Sequence, residues 1–210
     1  MPIVMQEGAS GRSFSLLPGV RCLPAREWRA GAGLAIGIVN NMPDAALEAT
    51  ERQFISLLAA ASDKRPVRVR LFALRELPRG ETARRYLAAS YADILELWNA
   101  DLDALIVTGT EPRRDVLQEE PYWPVLTAIV DWAARNTVST MWSCLAAHAA
   151  VLHLDRIARV PLPDKCFGLF ECERLAPHRL PRGCRRDCRC PIRAGTGCPR
   201  GRLRPAATTY

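Results

Sequence analysis

Four short apolar runs, each followed by a segment of helix length, constrain this chain more than any other feature. The runs are Leu34–Asn40 (LAIGIVN), Val67–Leu74, Asp103–Thr108 (DALIVT) and Val138–Ser143 (VSTMWS). Each is too short for a buried helix and rich enough in β-branched residues for a strand. In Val67–Leu74, Val67, Val69, Leu71 and Ala73 alternate with Arg68, Arg70 and Phe72. Between the runs lie helix-length stretches: Ala45–Ser62, Glu81–Ser90 with Tyr91–Asn99, Tyr122–Arg135 and Leu145–Leu154. Ala45–Ser62 carries Leu47, Phe54, Ile55, Leu57 and Leu58 toward one face, with Asp44 placed to cap it. Phe167–Glu171 reads as a further strand. Strand and helix in strict alternation predict an α/β fold with a parallel sheet and helices on both faces. Such sheets put their chemistry at the carboxyl ends of the strands. Asn40–Asp44, Thr108–Asp115 and Ser143–Ala147 occupy those ends.

Charge divides the chain. The whole carries +7 with eight cysteines, which at face value suggests a partner of nucleic acid or metal. Residues 178–210 hold nine arginines, one acid (Asp187) and four cysteines, so the remainder is close to neutral. The reading is therefore an irregular arm over 1–33, an α/β domain over 34–177 and an Arg- and Cys-rich tail over 178–210. The tail has no helix or strand period and few large apolar residues, so it is expected to be disordered. Cys184, Cys188, Cys190 and Cys198 do not match paired zinc spacing, so no metal is expected. No aromatic residues interleave the arginines, so no specific nucleic-acid partner is expected. The longest apolar runs are far too short to span a bilayer, and the first residues lack a secretory pattern; a cytoplasmic protein without membrane attachment is expected.

Cys144 sits between a β-rich run and an Ala-rich helix. A helix N-terminus favours negative charge, and the N–H of Leu145 is placed to stabilise an oxyanion, with a second donor from the Gly109–Thr110 turn. Ser143, Ala146 and Ala147 supply the small neighbours that a tight nucleophile turn needs; Trp142 and Leu145 do not. The competing reading is a buried structural cysteine.

At these residues the chain resembles the homoserine O-succinyltransferase (homoserine O-acyltransferase) family, relatives of the class I glutamine amidotransferases. The matching stretches are Asn40-Asn41-Met42-Pro43, Thr50-Glu51-Arg52-Gln53-Phe54, Leu105-Ile106-Val107-Thr108-Gly109, Tyr122-Trp123-Pro124, Val138-Ser139-Thr140 before Cys144, and Asp164-Lys165 with Gly168. The resemblance implies a flavodoxin-like, amidotransferase-type fold and ping-pong acyl transfer. Cys144 would accept an acyl group from succinyl-CoA or acetyl-CoA and pass it to the hydroxyl of L-homoserine, with no cofactor beyond the acyl-CoA co-substrate. Lys165 matches the family's substrate-binding lysine, against the alternative of a solvated loop residue. A homodimer in methionine biosynthesis is implied as well.

Two departures stand out. The loop after Gly109 reads Thr110-Glu111-Pro112-Arg113-Arg114-Asp115; Arg113 or Arg114 could hold a succinyl carboxylate or a CoA phosphate, or the loop could simply neutralise itself at the surface. The second departure is the general base. The chain has three histidines, His148, His153 and His178, and none stands where a base arriving on another loop would be expected. One coding permitted for Asp187–Pro199, read from its third base, yields a string containing PHSRWN, the kind of His-containing segment the family carries at its base. A reading-frame shift near His178, leaving the chain inactive, is the expectation drawn from it. The alternatives are a cysteine amidotransferase or hydrolase, and a non-catalytic interaction module.

Overall fold

A computed structural model describes residues 2–5, 21–23, 28–29, 31, 33–62, 65–173 and 187–197. The chain divides into two units, Met1–His153 and Leu154–Tyr210. In the first, six parallel strands form one sheet: β1 (Pro2–Met5), β2 (Arg21–Leu23), β3 (Leu34–Val39), β4 (Val67–Phe72), β5 (Ala104–Val107) and β6 (Ser139–Trp142), in the order β2-β1-β4-β3-β5-β6. The helices are α1 (Leu47–Ala61), α2 (Glu81–Ser90), α3 (Trp123–Asn136) and α4 (Leu145–Asp155).

The first three apolar runs become strands because both their faces are covered; in the edge strand β6, Ser139 and Met141 stay exposed. Ala35 and Val39 of β3 pack into one cluster with Leu126, Ile129 and Ala133 of α3 and Leu145 and Ala149 of α4. The alternate residues Ile36 and Ile38 pack into a second cluster with Ile55 and Ala59 of α1. Leu105 and Val107 face the first cluster and Ile106 the second. This is the two-residue period of a strand read on both sides of a sheet. Burying each of the leucine, isoleucine and valine side chains among these contributes about 1.5–3 kcal/mol.

Several expectations are corrected. The arm over 1–33 is not wholly irregular. Pro2–Met5 and Arg21–Leu23 extend the sheet beyond β4, with Ile3 and Val4 buried. A parallel strand can be supplied from a distance along the chain, so three or four residues suffice when an apolar pair meets an existing edge. Tyr91–Asn99 is not a full helix: Ile94–Asn99 is a 3-10 turn that Asp93 caps through the Leu95 N–H. On α1, Leu57 faces solvent, and the polar Glu51 takes an inward position instead. Asp44 does not cap α1, whose N-cap is Ala46. Its carboxylate accepts the Gly80 N–H (2.8 Å) and pairs with Arg79 (3.1 Å), which holds it below the usual aspartate range.

Glu51 is fully buried. Its carboxylate accepts the hydroxyls of Tyr86 (2.6 Å) and Tyr91, and Tyr91 accepts from the Asn40 side chain at 3.0 Å. Burial holds the Glu51 carboxyl above its usual value of 4.5, the two phenol hydrogen bonds pulling partly back. Burial and the neighbouring Glu51 hold both phenols above their ordinary range. A carboxyl raised in the folded state contributes stability that is fully present below the unfolded value and is lost as pH rises through the folded one. Denaturant unfolding of the chain and of Glu51→Gln should therefore diverge, the parent losing stability relative to the amide variant between acid and neutral pH. Curves that stay parallel across that window would contradict the assignment.

The second unit carries β7 (Val160–Glu173) paired antiparallel with β8 (Asp187–Gly197). The expected strand Phe167–Glu171 lies within β7. Over Asp187–Gly197 the structure departs from the expectation of a tail without regular structure. Ladder bonds come from backbone groups, so a sequence without strand period can still pair with a long neighbour. Residues 178–186 and 198–210, with His178, Cys184 and Cys198, lie outside the described residues. Among those described, no helix is long and apolar enough to cross a membrane.

Candidate active site

β3 is the first of the four strands read from the sequence; β4 follows on one side of it and β5 on the other. The loops leaving β3 and β5 therefore part in opposite directions and open a crevice at the strand ends. A cavity of about 600 Å³ lies there, lined by Pro43 and Asp44 after β3, Glu76–Arg79 after β4, and Thr110–Arg113 with Glu120 and Tyr122 after β5.

Asn41 ties the three strand ends together. Its own N–H donates to the Thr108 hydroxyl (2.8 Å) and its side-chain amide donates to the Thr108 carbonyl (3.1 Å). Its side-chain oxygen accepts the Leu74 N–H at 3.2 Å. Asn40 joins the same cluster: its N–H meets the Phe72 carbonyl at 2.8 Å and its side chain the Leu47 carbonyl at 3.1 Å. Both asparagines are buried.

Cys144 follows β6 and immediately precedes α4. It is exposed, which removes the reading of a buried structural cysteine. Its φ of 57° is in the left-handed region. A non-glycine residue held there stores on the order of 1–3 kcal/mol of backbone strain. The same strained turn from strand to helix presents nucleophiles at the top of other α/β sheets. Neighbouring bonds hold the turn: Ser143 N–H to the Val107 carbonyl (2.9 Å), Ala146 N–H to Ser143 (3.2 Å) and Ala147 N–H to Cys144 (3.0 Å).

Gly109 and Leu145 are brought together. A side chain at Gly109 would place its Cβ 2.5 Å from the Leu145 nitrogen and 2.9 Å from its Cα. The turn after β5 thus reaches the first residue of α4 only because position 109 has no side chain. Thr110 is half-buried and belongs to the cavity wall; Cys144 does not line that cavity, and the Gly109–Thr110 segment is the link between the two. Arg113 is exposed on the wall. Its backbone N–H and that of Arg114 (2.6 Å) donate to the Glu120 carboxylate, which holds the loop by its amides.

His148 is half-buried, one turn along α4 from Cys144, and His153 pairs with Asp131 at 2.8 Å. Both described histidines therefore ride on the helix that follows the cysteine. Lys165 lies in β7, in the second unit. Sequence reasoning missed Arg79, Glu120 and the clasp made by Asn41. Loop residues of these types ordinarily read as solvated; only their closeness to strand ends could have marked them.

A doubly wound α/β protein whose strained, exposed cysteine opens a helix beside a glycine-bared turn is the class that fold and site define. The family model for homoserine O-succinyltransferase matches residues 25–204, and the chain belongs to that family. It is 57% identical over 142 residues to the homoserine O-succinyltransferase of Rhodopseudomonas palustris, covering 68% of this chain and 43% of that protein. It is 51% identical over 152 residues to that of Bradyrhizobium japonicum, covering 71% of this chain and 46% of the relative. The corresponding protein of Methylorubrum extorquens is 50% identical over 147 residues, with 70% and 43% covered. The chain spans less than half the length of these curated relatives.

Proposed function

We propose that this chain carries the acyl-accepting half of a homoserine O-acyltransferase, with Cys144 as nucleophile. The observation that carries the reading is the exposed thiol of Cys144 on its left-handed turn at the head of α4, beside Gly109 and Leu145. The Cys144 sulfur attacks the thioester carbonyl of succinyl-CoA or acetyl-CoA. The tetrahedral oxyanion is received by the Leu145 N–H and an N–H of the Gly109–Thr110 turn. Its collapse breaks the bond to the CoA sulfur; CoA leaves as a thiol and the acyl group stays on Cys144. The hydroxyl of L-homoserine then attacks this second thioester, loses its proton and releases Cys144. Splitting one difficult transfer into two easier ones is what an activated thiol offers. Lys165 is proposed as a substrate contact on the strength of its match to the family motif. The described histidines both sit on α4, so acylation is expected to outpace discharge, which calls most on a base from elsewhere.

Intact mass spectrometry after incubation with each acyl-CoA tests this. The expected result is a single acyl adduct that maps to Cys144 and is absent in Cys144→Ser. A reactive, folded chain that never acquires an adduct at Cys144 would overturn the reading, and turnover of glutamine instead would favour an amidotransferase.

A further inference from the structure

We propose that Cys172 and Cys188 form a redox-responsive cross-strand disulfide that clamps β7 to β8. The two cysteines are direct partners in the antiparallel register. From Cys166 opposite Ala194 to Glu173 opposite Asp187 that register runs evenly, its irregularity lying between Pro161 and Cys166. Directly opposed residues of an antiparallel pair stand about 4.5–5.5 Å apart at Cα. A disulfide joins Cα atoms roughly 4.4–6.8 Å apart, so the backbone need not move to admit the bond. The register also selects the pair. Cys190 lies opposite Phe170, which makes it a diagonal neighbour of Cys172, at about 7–8 Å and beyond a relaxed bridge. Cys166 lies opposite Ala194 and has no cysteine across from it. Cys184 and Cys198 fall outside the described residues.

Such a clamp has a task here. A two-stranded ribbon is marginally stable in water, and β7 and β8 form a sheet of two. Phe167, Leu169 and Phe170 of β7 are exposed, so these side chains add little burial to the ladder. Exposure of Phe170 and Glu171 also leaves the strand open to a small oxidant beside position 172. In sequence, Arg185, Arg186 and Arg189 flank Cys188, and neighbouring cations favour the reactive thiolate. The oxidant is a low-molecular-weight disulfide such as oxidised glutathione. One cysteine thiolate attacks it and releases one glutathione; the other cysteine then displaces the second glutathione as the bond between Cys172 and Cys188 forms. The electron pair and the two thiol protons lost by the cysteines leave with the two glutathione thiols. In a reducing compartment the pair stays as thiols, and the ribbon depends on its backbone bonds. Neither cysteine is Cys144, so the inference stands apart from the acyl-transfer reading.

The test incubates the reduced full chain with oxidised glutathione, blocks the remaining thiols and maps the cross-links after tryptic digestion without reductant. Arginines on both sides leave Cys188 as the one cysteine in the peptide of residues 187–189, and Cys172 falls in that of residues 166–174. The expected major cross-link joins these two peptides. It should persist in Cys166→Ser and in Cys144→Ser and be lost in Cys172→Ser. In an unfolded chain, closure costs more the longer the loop, so neighbours in sequence such as Cys184 and Cys188 are favoured instead. Oxidation repeated in denaturant should therefore shift the products toward those neighbours. A native chain whose major link joins any other pair, or that gains only mixed disulfides with glutathione, would overturn the proposal. So would one product pattern with and without denaturant. Hydrogen exchange reads the clamp itself: amides along β7 should exchange at least about tenfold more slowly once the link forms, and return to the starting rate with a thiol reductant. Exchange that ignores the link would refute the clamp. The mapping on the parent chain decides the pairing even where a variant does not fold.

Discussion

Gly109→Ala should slow acylation at Cys144 by about a hundred- to a thousandfold while leaving a folded sheet. The added methyl would stand 2.5 Å from the Leu145 nitrogen, 2.7 Å from its Cβ and 2.9 Å from its Cα. Two of these neighbours are backbone atoms at the head of a helix, which cannot swing aside as a side-chain tip can. The turn after β5 and the start of α4 must separate, and the positions proposed to receive the oxyanion separate with them. Losing one such donor typically costs a hundred- to a thousandfold in rate, about 2.7–4 kcal/mol of transition-state stabilisation. The strain itself lowers stability by about 1–3 kcal/mol, as overpacking does. The check is the rate of adduct formation from acyl-CoA set beside the Tm of the same variant. A Gly109→Ala chain that acylates at the parent rate would mean that the contact with Leu145 has no part in the reaction.

The same neighbourhood separates what the sequence made legible from what it did not. The strands at Leu34, Val67 and Ala104 could be read because a buried parallel strand must be apolar on both faces, and the edge strand at Ser139 from its β-rich run between one helix and the next. Cys144, Gly109 and Leu145 followed from them, since a strand end that feeds directly into a helix has few places for a nucleophile and its donors. Pro2–Met5 and Arg21–Leu23 were not legible. Each is too short to show a period, and each borrows its stability from an edge formed far along the chain. Asp44 kept its turn position but gave its carboxylate to Gly80 and Arg79, a tertiary partnership that no local cap pattern predicts. Glu51 presents the same difficulty inside a helix: its burial depends on two phenols that arrive from residues 86 and 91. Arg79 and Glu120 lie in loops where arginine and glutamate are ordinarily solvated, and their burial is visible only once three strand ends meet.

That meeting depends on Asn41, and Asn41→Leu should cost about 2–5 kcal/mol and loosen the cavity with it. The substitution removes both side-chain hydrogen bonds, to the Thr108 carbonyl and from the Leu74 N–H. The two backbone groups left behind are at a buried junction of β3, β4 and β5, where each unsatisfied group costs about 1–3 kcal/mol. Leucine matches asparagine roughly in size, so the loss is one of polar partners and not of volume. Asn41→Asp is the sharper companion. Its carboxylate can still accept from Leu74 but cannot donate to Thr108, and an anion is placed in a buried position with one donor too few. The destabilisation should therefore be larger in the aspartate variant at neutral pH and diminish toward acid pH, as protonation restores a neutral group able to donate. Denaturant melts of both variants at two pH values provide the measurement. An Asn41→Leu variant within a few tenths of a kcal/mol of the parent would show that the strand ends hold their positions without this clasp, and the cavity walls would then have to be attributed to the apolar clusters alone.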